Sequence, residues 1–295
     1  MNRLVCRTGM FVMPALLCLC MCGRASAQAF ANSFLQFFDV KITAASGTIQ
    51  YIGNNPNTVD PRWTAKAYAE ASNSLGEHDA HPDPGLGEPT EVKGGAIVAK
   101  AQVTYANAQG VGDAANLTGS ALSDVHIPDC DDLFAAAIGR GQIFNSFIIT
   151  GGTGAVDVTF STHIKGALHV LTGDCGVLAQ TETIFGWELF GLDSGGNLID
   201  TPILFDDRIL QVLGPDQHAD ELFDLQLTKT LSLKFTDGTL DTTYATLLEA
   251  DSESKGITSM PEPSAGIVAV IGFGTLAAAR SRRILVKRVK GGAEQ

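Results

Sequence analysis

Val156-Asp-Val-Thr-Phe-Ser-Thr-His-Ile-Lys165 decides the fold class. Val156, Val158, Phe160, Thr162 and Ile164 alternate with Asp157, Thr159, Ser161, His163 and Lys165, so the period is two. Successive side chains of a strand point to opposite faces, and this stretch therefore predicts a β-strand with one dry face and one wet face. The same period recurs along the chain. Phe34, Gln36, Phe38, Val40 and Ile42 are expected to share one strand face, and Trp63, Ala65, Ala67, Ala69 and Ala71 another made of mostly small residues. Ile97, Ala99, Ala101, Val103 and Tyr105 alternate with Val98, Lys100, Gln102 and Thr104, and Phe185 and Trp187 fall on one face of Thr183–Leu189. Phe223, Leu225, Leu227, Leu231, Leu233 and Phe235 align in the same way. Asp237-Gly238 is a strong type I′ signal, which predicts that Leu231–Phe235 pairs with Thr239–Leu248 as a hairpin.

Helical signals are few. Asp131–Ile138 and Pro215–Phe223 read as short helices, and Ser72–Glu91, with Pro82, Pro84 and Pro89, reads as one long exposed loop. Many half-buried strands with few helices predict an all-β fold, an antiparallel β-sandwich of jelly-roll-like arrangement. Its body, residues 28–258, is long enough for a sizeable core.

Both ends of the chain differ from this body. Arg3 and Arg7 precede an almost wholly apolar run, Met10–Cys22, and Ala25-Ser26-Ala27 supplies small residues at cleavage positions, so residues 1–27 read as a secretory signal helix. Removal of that segment leaves only Cys130 and Cys175, which in an oxidising compartment pair most simply as one disulfide. Closing a loop of roughly 45 residues would stabilise the fold by about 4 kcal/mol.

At the other end, Pro261, Glu262 and Pro263 define a short extended segment, because each proline restricts itself and the residue before it. Residues 265–279 then carry no charge, and Arg280, Arg282 and Arg283 follow directly. As a helix this run spans roughly 22 Å, short of the ~30 Å hydrocarbon core but held at its cytoplasmic end by the arginines. Proline-flanked acid, apolar helix and basic cluster together resemble the PEP-CTERM sorting signal of exported bacterial proteins. The resemblance covers residues 259–283 and implies an exosortase-like membrane processing enzyme as partner, membrane contact through residues 265–279, and a place in the envelope or extracellular polysaccharide matrix. Beyond the arginines the chain runs on as a basic tail, residues 284–295, with Lys287, Arg288 and Lys290, a departure from members that end near the cluster.

With both ends set aside, the body carries 11 basic and 30 acidic side chains, a net of 19 negative charges. That field argues against nucleic acid and bare anionic membrane as partners.

Candidate chemistry is sparse. Asp193-Ser-Gly-Gly196 is similar to a serine-protease nucleophile segment, but Leu192 and Asn197 replace the flanking Gly and Pro, and a Gly/Asn turn explains the same letters. His78, His81, Glu77, Asp79 and Asp83 could gather a cation, as could Asp129, Asp131 and Asp132, or Asp216, Asp220, Glu221 and Asp224. Solvated loops and helix ends account for these groups as well, so no metal, cofactor or catalytic residue is assigned. Should strand phase survive Gly166, His163, Lys165 and His169 share the wet face, either as a plain polar surface or as a glycan-contacting one. A non-enzymatic structural or adhesive protein is the expectation, with a glycan-binding module and then a secreted glycan hydrolase as alternatives.

Overall fold

The computed structural model describes residues 29–53, 60–82, 88–128, 133–173, 176–192, 198–199, 203–213, 217–236 and 243–258. Among them the regular structure is entirely β. The strands are β1 (Ala29–Ala44), β2 (Thr48–Tyr51), β3 (Thr64–Asn73), β4 (His78–His81), β5 (Val92–Lys93), β6 (Ala96–Val103), β7 (Ala106–Asp113) and β8 (Thr118–Ile127). They continue as β9 (Phe134–Thr150), β10 (Ala155–Thr172), β11 (Gly176–Leu192), β12 (Leu198–Ile199), β13 (Ile203–Leu213), β14 (His218–Lys234) and β15 (Thr243–Thr258).

Two antiparallel sheets form from them. One has six strands in the order β14-β10-β1-β8-β7-β6. The other has nine strands along the path β12-β11-β15-β9-β3-β4, with β13 also on β11, β2 also on β9 and β5 also on β3. The chain changes sheet repeatedly, β8 to β9, β9 to β10 and β10 to β11, and β8 packs across the core on β9 and β10 on β11.

Periodicity places most faces correctly. On β10 the even-numbered residues Val156, Val158, Phe160, Thr162 and Ile164 are buried, and the alternation runs unbroken through Gly166 to Leu168 and Val170. Trp63 and Ala65, Ala67, Ala69 and Ala71 are all buried. Strand β1 departs from its expected face. Phe34 and Phe38 look outward and Val40 and Ile42 inward, because the register with β10 shifts between Phe38 and Lys41. Asp39 sits there at φ 54°, the left-handed geometry typical of a bulge, which inverts the phase of the residues beyond it. Thr162 Oγ1 donates to the Phe38 carbonyl at 3.0 Å and satisfies the backbone at that point.

Three other expectations are corrected. Residues 134–138 belong to β9, between β15 and β3, and not to a helix; alanine carries little periodic signal, and ladders on both sides override its helix propensity. Residues 218–223 open the edge strand β14 rather than a helix, paired along its length with β10; residues 131–132 and 215–216 lie outside the described residues. β14 and β15 belong to different sheets, so Leu231–Lys234 does not pair with Thr243–Leu248 as the hairpin would require. Instead Phe235 N–H bonds the Gly154 carbonyl at 2.9 Å and Thr236 N–H the Ile149 carbonyl at 2.7 Å as the chain crosses over. Asp237 and Gly238, and the residues of the expected signal helix, disulfide and C-terminal helix, likewise lie outside the described residues. Within the expected long loop, β4 pairs with the end of β3 as a short hairpin.

The core is a wedge. At one end it is lined by Ala65, Ala67, Ala69, Ala99, Ala101, Ala108, Ala121, Ala135 and Ala137, and glycine backbones meet directly. A Cβ added to Gly110 would stand 2.0 Å from the Arg140 carbonyl oxygen, and one on Gly141 2.1 Å from that of Val111. Cα atoms of β7 and β8 come within 8 Å of those of β3 and β9 across the interface, closer than the ~10 Å usual for stacked sheets. At the other end Phe37, Phe147, Phe160, Phe185 and Trp187 fill the space, with Phe160 edge-on to Trp187 at 5.6 Å.

Between these ends lie buried hydroxyls. Ser33 and Ser123 of the six-stranded sheet meet Ser252 and Ser254 of the other at 2.7 to 2.8 Å, and Ser33 bonds Ser123 at 2.9 Å. A hydroxyl both donates and accepts, so the four satisfy one another.

Gly141→Ala is expected to destabilise the protein by about 3 kcal/mol or more, since the methyl group meets backbone that cannot rotate away. Gly186→Ala, whose Cβ would meet nothing within 4 Å, should shift stability by no more than about 1 kcal/mol. Urea unfolding of the two variants makes the comparison; equal effects would contradict the close approach.

Candidate functional site

The outward face of the six-stranded sheet collects most of the chain's histidines. Antiparallel register sets its rows across β8, β1, β10 and β14. His126, Phe30, Leu171 and His218 form one row, and Asp124, Asn32, His169 and Asp220 the next. Leu122, Phe34, Ala167 and Leu222 make an apolar row, followed by Ser120, Gln36, Lys165 and Asp224. Phe38, His163 and Gln226 complete the surface on three strands. His163, Lys165 and His169 thus share one exposed face.

Each histidine on this face has a defined neighbourhood. His163 stacks on Phe38 with ring centroids 4.6 Å apart, and its Nε2 contacts the Asp224 carboxylate. Phe30 packs edge-on against His169 at 5.0 Å and against His126 at 5.9 Å, which keeps those two rings apart. The Nδ1 of His169 meets Asp220 Oδ1, and the Nε2 of His218 lies 2.8 Å from Asp220 Oδ2. The two imidazoles are themselves 5.4 Å apart, centroid to centroid.

Sequence reasoning misses the grouping of His218 and Asp220 with His169. As a helix, residues i and i+2 point to different sides; as the strand they are, they share a face and meet His169 across the pair. The expected acidic group around them divides for the same reason, because Glu221 alternates away from Asp220 and Asp224; Asp216, like Asp129, Asp131 and Asp132, lies outside the described residues.

The loop histidines do not converge either. His78 Nε2 lies 3.2 Å from Glu70, whereas His81 spans Asp79 at 3.0 Å and Glu88 at 2.8 Å through opposite ring nitrogens. Glu88, and secondarily Asp79, raise the His81 pKa above its ordinary value. Glu77 accepts from Thr104 N–H at 2.8 Å and Asp79 from Gln102 N–H at 2.8 Å, so the segment is pinned to β6. Asp83, and the Asp193-Ser-Gly-Gly196 segment, lie outside the described residues.

A second polar cluster occupies the outward face of the nine-stranded sheet. Arg140 binds Asp251 through Nη2 at 2.6 Å and lies 3.5 Å from Glu249, to which Gln142 also donates. Burial raises the Glu249 pKa above its ordinary value, with Arg140 acting in the opposite sense. Burial and then the neighbouring Glu70 raise that of Tyr68, whose hydroxyl bonds Glu70. Cross-strand register explains the grouping, since Tyr68, Arg140 and Asp251 occupy one row and Lys66, Gln142 and Glu249 the next.

The chain matches no protein-family model, and no curated protein is similar to it.

The raised pKa of Glu249 has a signed consequence for stability. A carboxyl that holds its proton more tightly when folded contributes stability below its ordinary value of 4.5 and loses that contribution as pH rises through its folded pKa. Above pH 4.5, wild-type protein should therefore lose more stability with rising pH than Glu249→Gln. Denaturation midpoints from pH 4 to pH 8 provide the check; curves that stay parallel, or a variant that falls behind, would contradict it.

Proposed function

We propose that this is an exported protein of the cell envelope or extracellular matrix, with a structural or adhesive role. Its two ends support the export reading: a signal segment over residues 1–27, and Pro261, Glu262, Pro263, residues 265–279 and Arg280, Arg282 and Arg283 as a PEP-CTERM-like sorting signal for an exosortase-like enzyme. Among the described residues no helix is long and apolar enough to cross a membrane, and residues 265–279 lie outside them. Cys130 and Cys175 would pair after export. A jelly-roll-like winding suits a chain whose long strands alternate between the two sheets.

The observation that carries the adhesive role is the ring-and-charge stripe on the six-stranded sheet. Phe30, Phe34 and Phe38 stand at every second outward position of β1, roughly 13 Å apart along the strand, with His163, Lys165 and His169 beside them on β10. These partly buried rings offer apolar edges and faces to sugar C–H groups, and the histidines, the lysine and Asp224 offer hydrogen bonds to hydroxyls. Such a flat platform fits an extended polysaccharide better than a small ligand, which a concave pocket would enclose. A glycan-binding module is thus the specific form of adhesion that this face favours.

Mass spectrometry of the exported protein is expected to find a C-terminus before Ala265; an intact Gln295 on exported material would defeat the sorting reading. Glycan-array binding should fall about tenfold or more in His163→Ala and Lys165→Ala, in line with losing a central polar contact. Binding that neither substitution changes would remove this face from the proposal.

A further inference from the structure

We propose that His169, His218 and Asp220 form a binding site for a late first-row divalent transition ion, with zinc as the natural probe. The proposal goes beyond the glycan reading and does not depend on it. One ligand atom from each of the three residues lies within 4.8 Å of the others. Donors sharing one ion at bonds of 2.0–2.2 Å stand about 3 to 4 Å apart, so a small rotation of side chains that are 31%, 54% and 49% exposed brings them into place.

The backbone supplies the convergence. His169 and Asp220 are direct cross-strand partners on β10 and β14, and His218 is two residues before Asp220, hence on the same face. Facing side chains in an antiparallel pair have Cβ atoms about 5 Å apart, which suits an ion held between two strands. Phe30 packs against His169 and limits the orientations its ring can take, a positioning contact that lowers the entropy lost on binding.

Ligand chemistry selects the class of ion. Two neutral imidazoles with one carboxylate suit zinc, copper, nickel or iron, whereas calcium and magnesium want an all-oxygen shell. Three protein ligands leave a fourth position, which here faces solvent and is open to water or to an oxygen of an outside ligand. The surrounding body, with its net of 19 negative charges, also draws cations to the surface.

Equilibrium dialysis of the exported protein, from which residues 1–27 and their four cysteines have been removed, against micromolar zinc chloride, with zinc counted by elemental analysis, tests this directly. One zinc per chain is expected, with affinity reduced at least tenfold in His218→Ala and Asp220→Asn and unchanged in His81→Ala, which alters the loop carboxylate group instead. Circular dichroism confirms that the variants are folded; β14 is an edge strand, and both substituted side chains lie on its outward face. Two results would overturn the proposal: no zinc above the dialysate level in the wild-type protein, or zinc retained equally by His218→Ala and Asp220→Asn. Calcium competing on equal terms with zinc would overturn the assigned ligand class.

Discussion

Direct backbone contact between the two sheets, at the glycines of β7 and β9, sets how the sandwich is assembled. Gly110 and Gly112 of β7 face Gly139 and Gly141 of β9, and at each the space for a Cβ is taken by a carbonyl oxygen of the opposite sheet. Alanines on β3, β6, β7, β8 and β9 continue the seam. Close packing forbids both extra atoms and voids in such a place. It also ties the sheets together where side chains are too small to supply much apolar burial. Dispersion between tightly apposed backbones compensates in part, since each pair of atoms contributes little but the seam holds many.

The aromatic end and the hydroxyl cluster follow from that seam. Once small residues hold one end of the sandwich together, twist opens the other, and Phe147, Phe160, Phe185 and Trp187 occupy the widening space. Ser33, Ser123, Ser252 and Ser254 lie between, where a larger apolar group would not fit and an unpaired polar group would cost about 1 to 3 kcal/mol. Their mutual bonds fix the alignment of β1 and β8 over β15. The outer rows of His163, Lys165, His169, His218 and Asp220 are consequently held on strands whose inward residues are tightly constrained, which is how a flat face can present charged groups at set spacings.

Much of this is legible from periodicity alone. The dry face of Val156–Ile164 predicts the wet face of His163, Lys165 and His169, and the alanine face of β3 is visible as a line of small residues. Its meaning is not visible, because a face of small residues reads as weak hydrophobicity until a second such face is known to oppose it. Two kinds of error have physical causes. The bulge at Asp39 inverts the inward face of β1 without any glycine or proline to mark it. Residues 134–138 and 218–223 have compositions neutral or favourable to helix, yet the hydrogen-bond demand of neighbouring strands makes them β. The second misreading conceals His218 and Asp220 as partners of His169. The strands on either side of the Asp237-Gly238 turn signal, β14 and β15, lie in different sheets, so a local preference reads as a pairing that long-range packing denies.

Amide hydrogen exchange followed by mass spectrometry tests the seam most directly. If backbone contact at the glycines holds the two sheets together, peptides covering 106–113 and 135–145 will exchange only through global unfolding, while the edge strand around 218–226 exchanges far sooner. Fast exchange within 106–113 or 135–145 under native conditions, with the edge strand protected, would contradict the account.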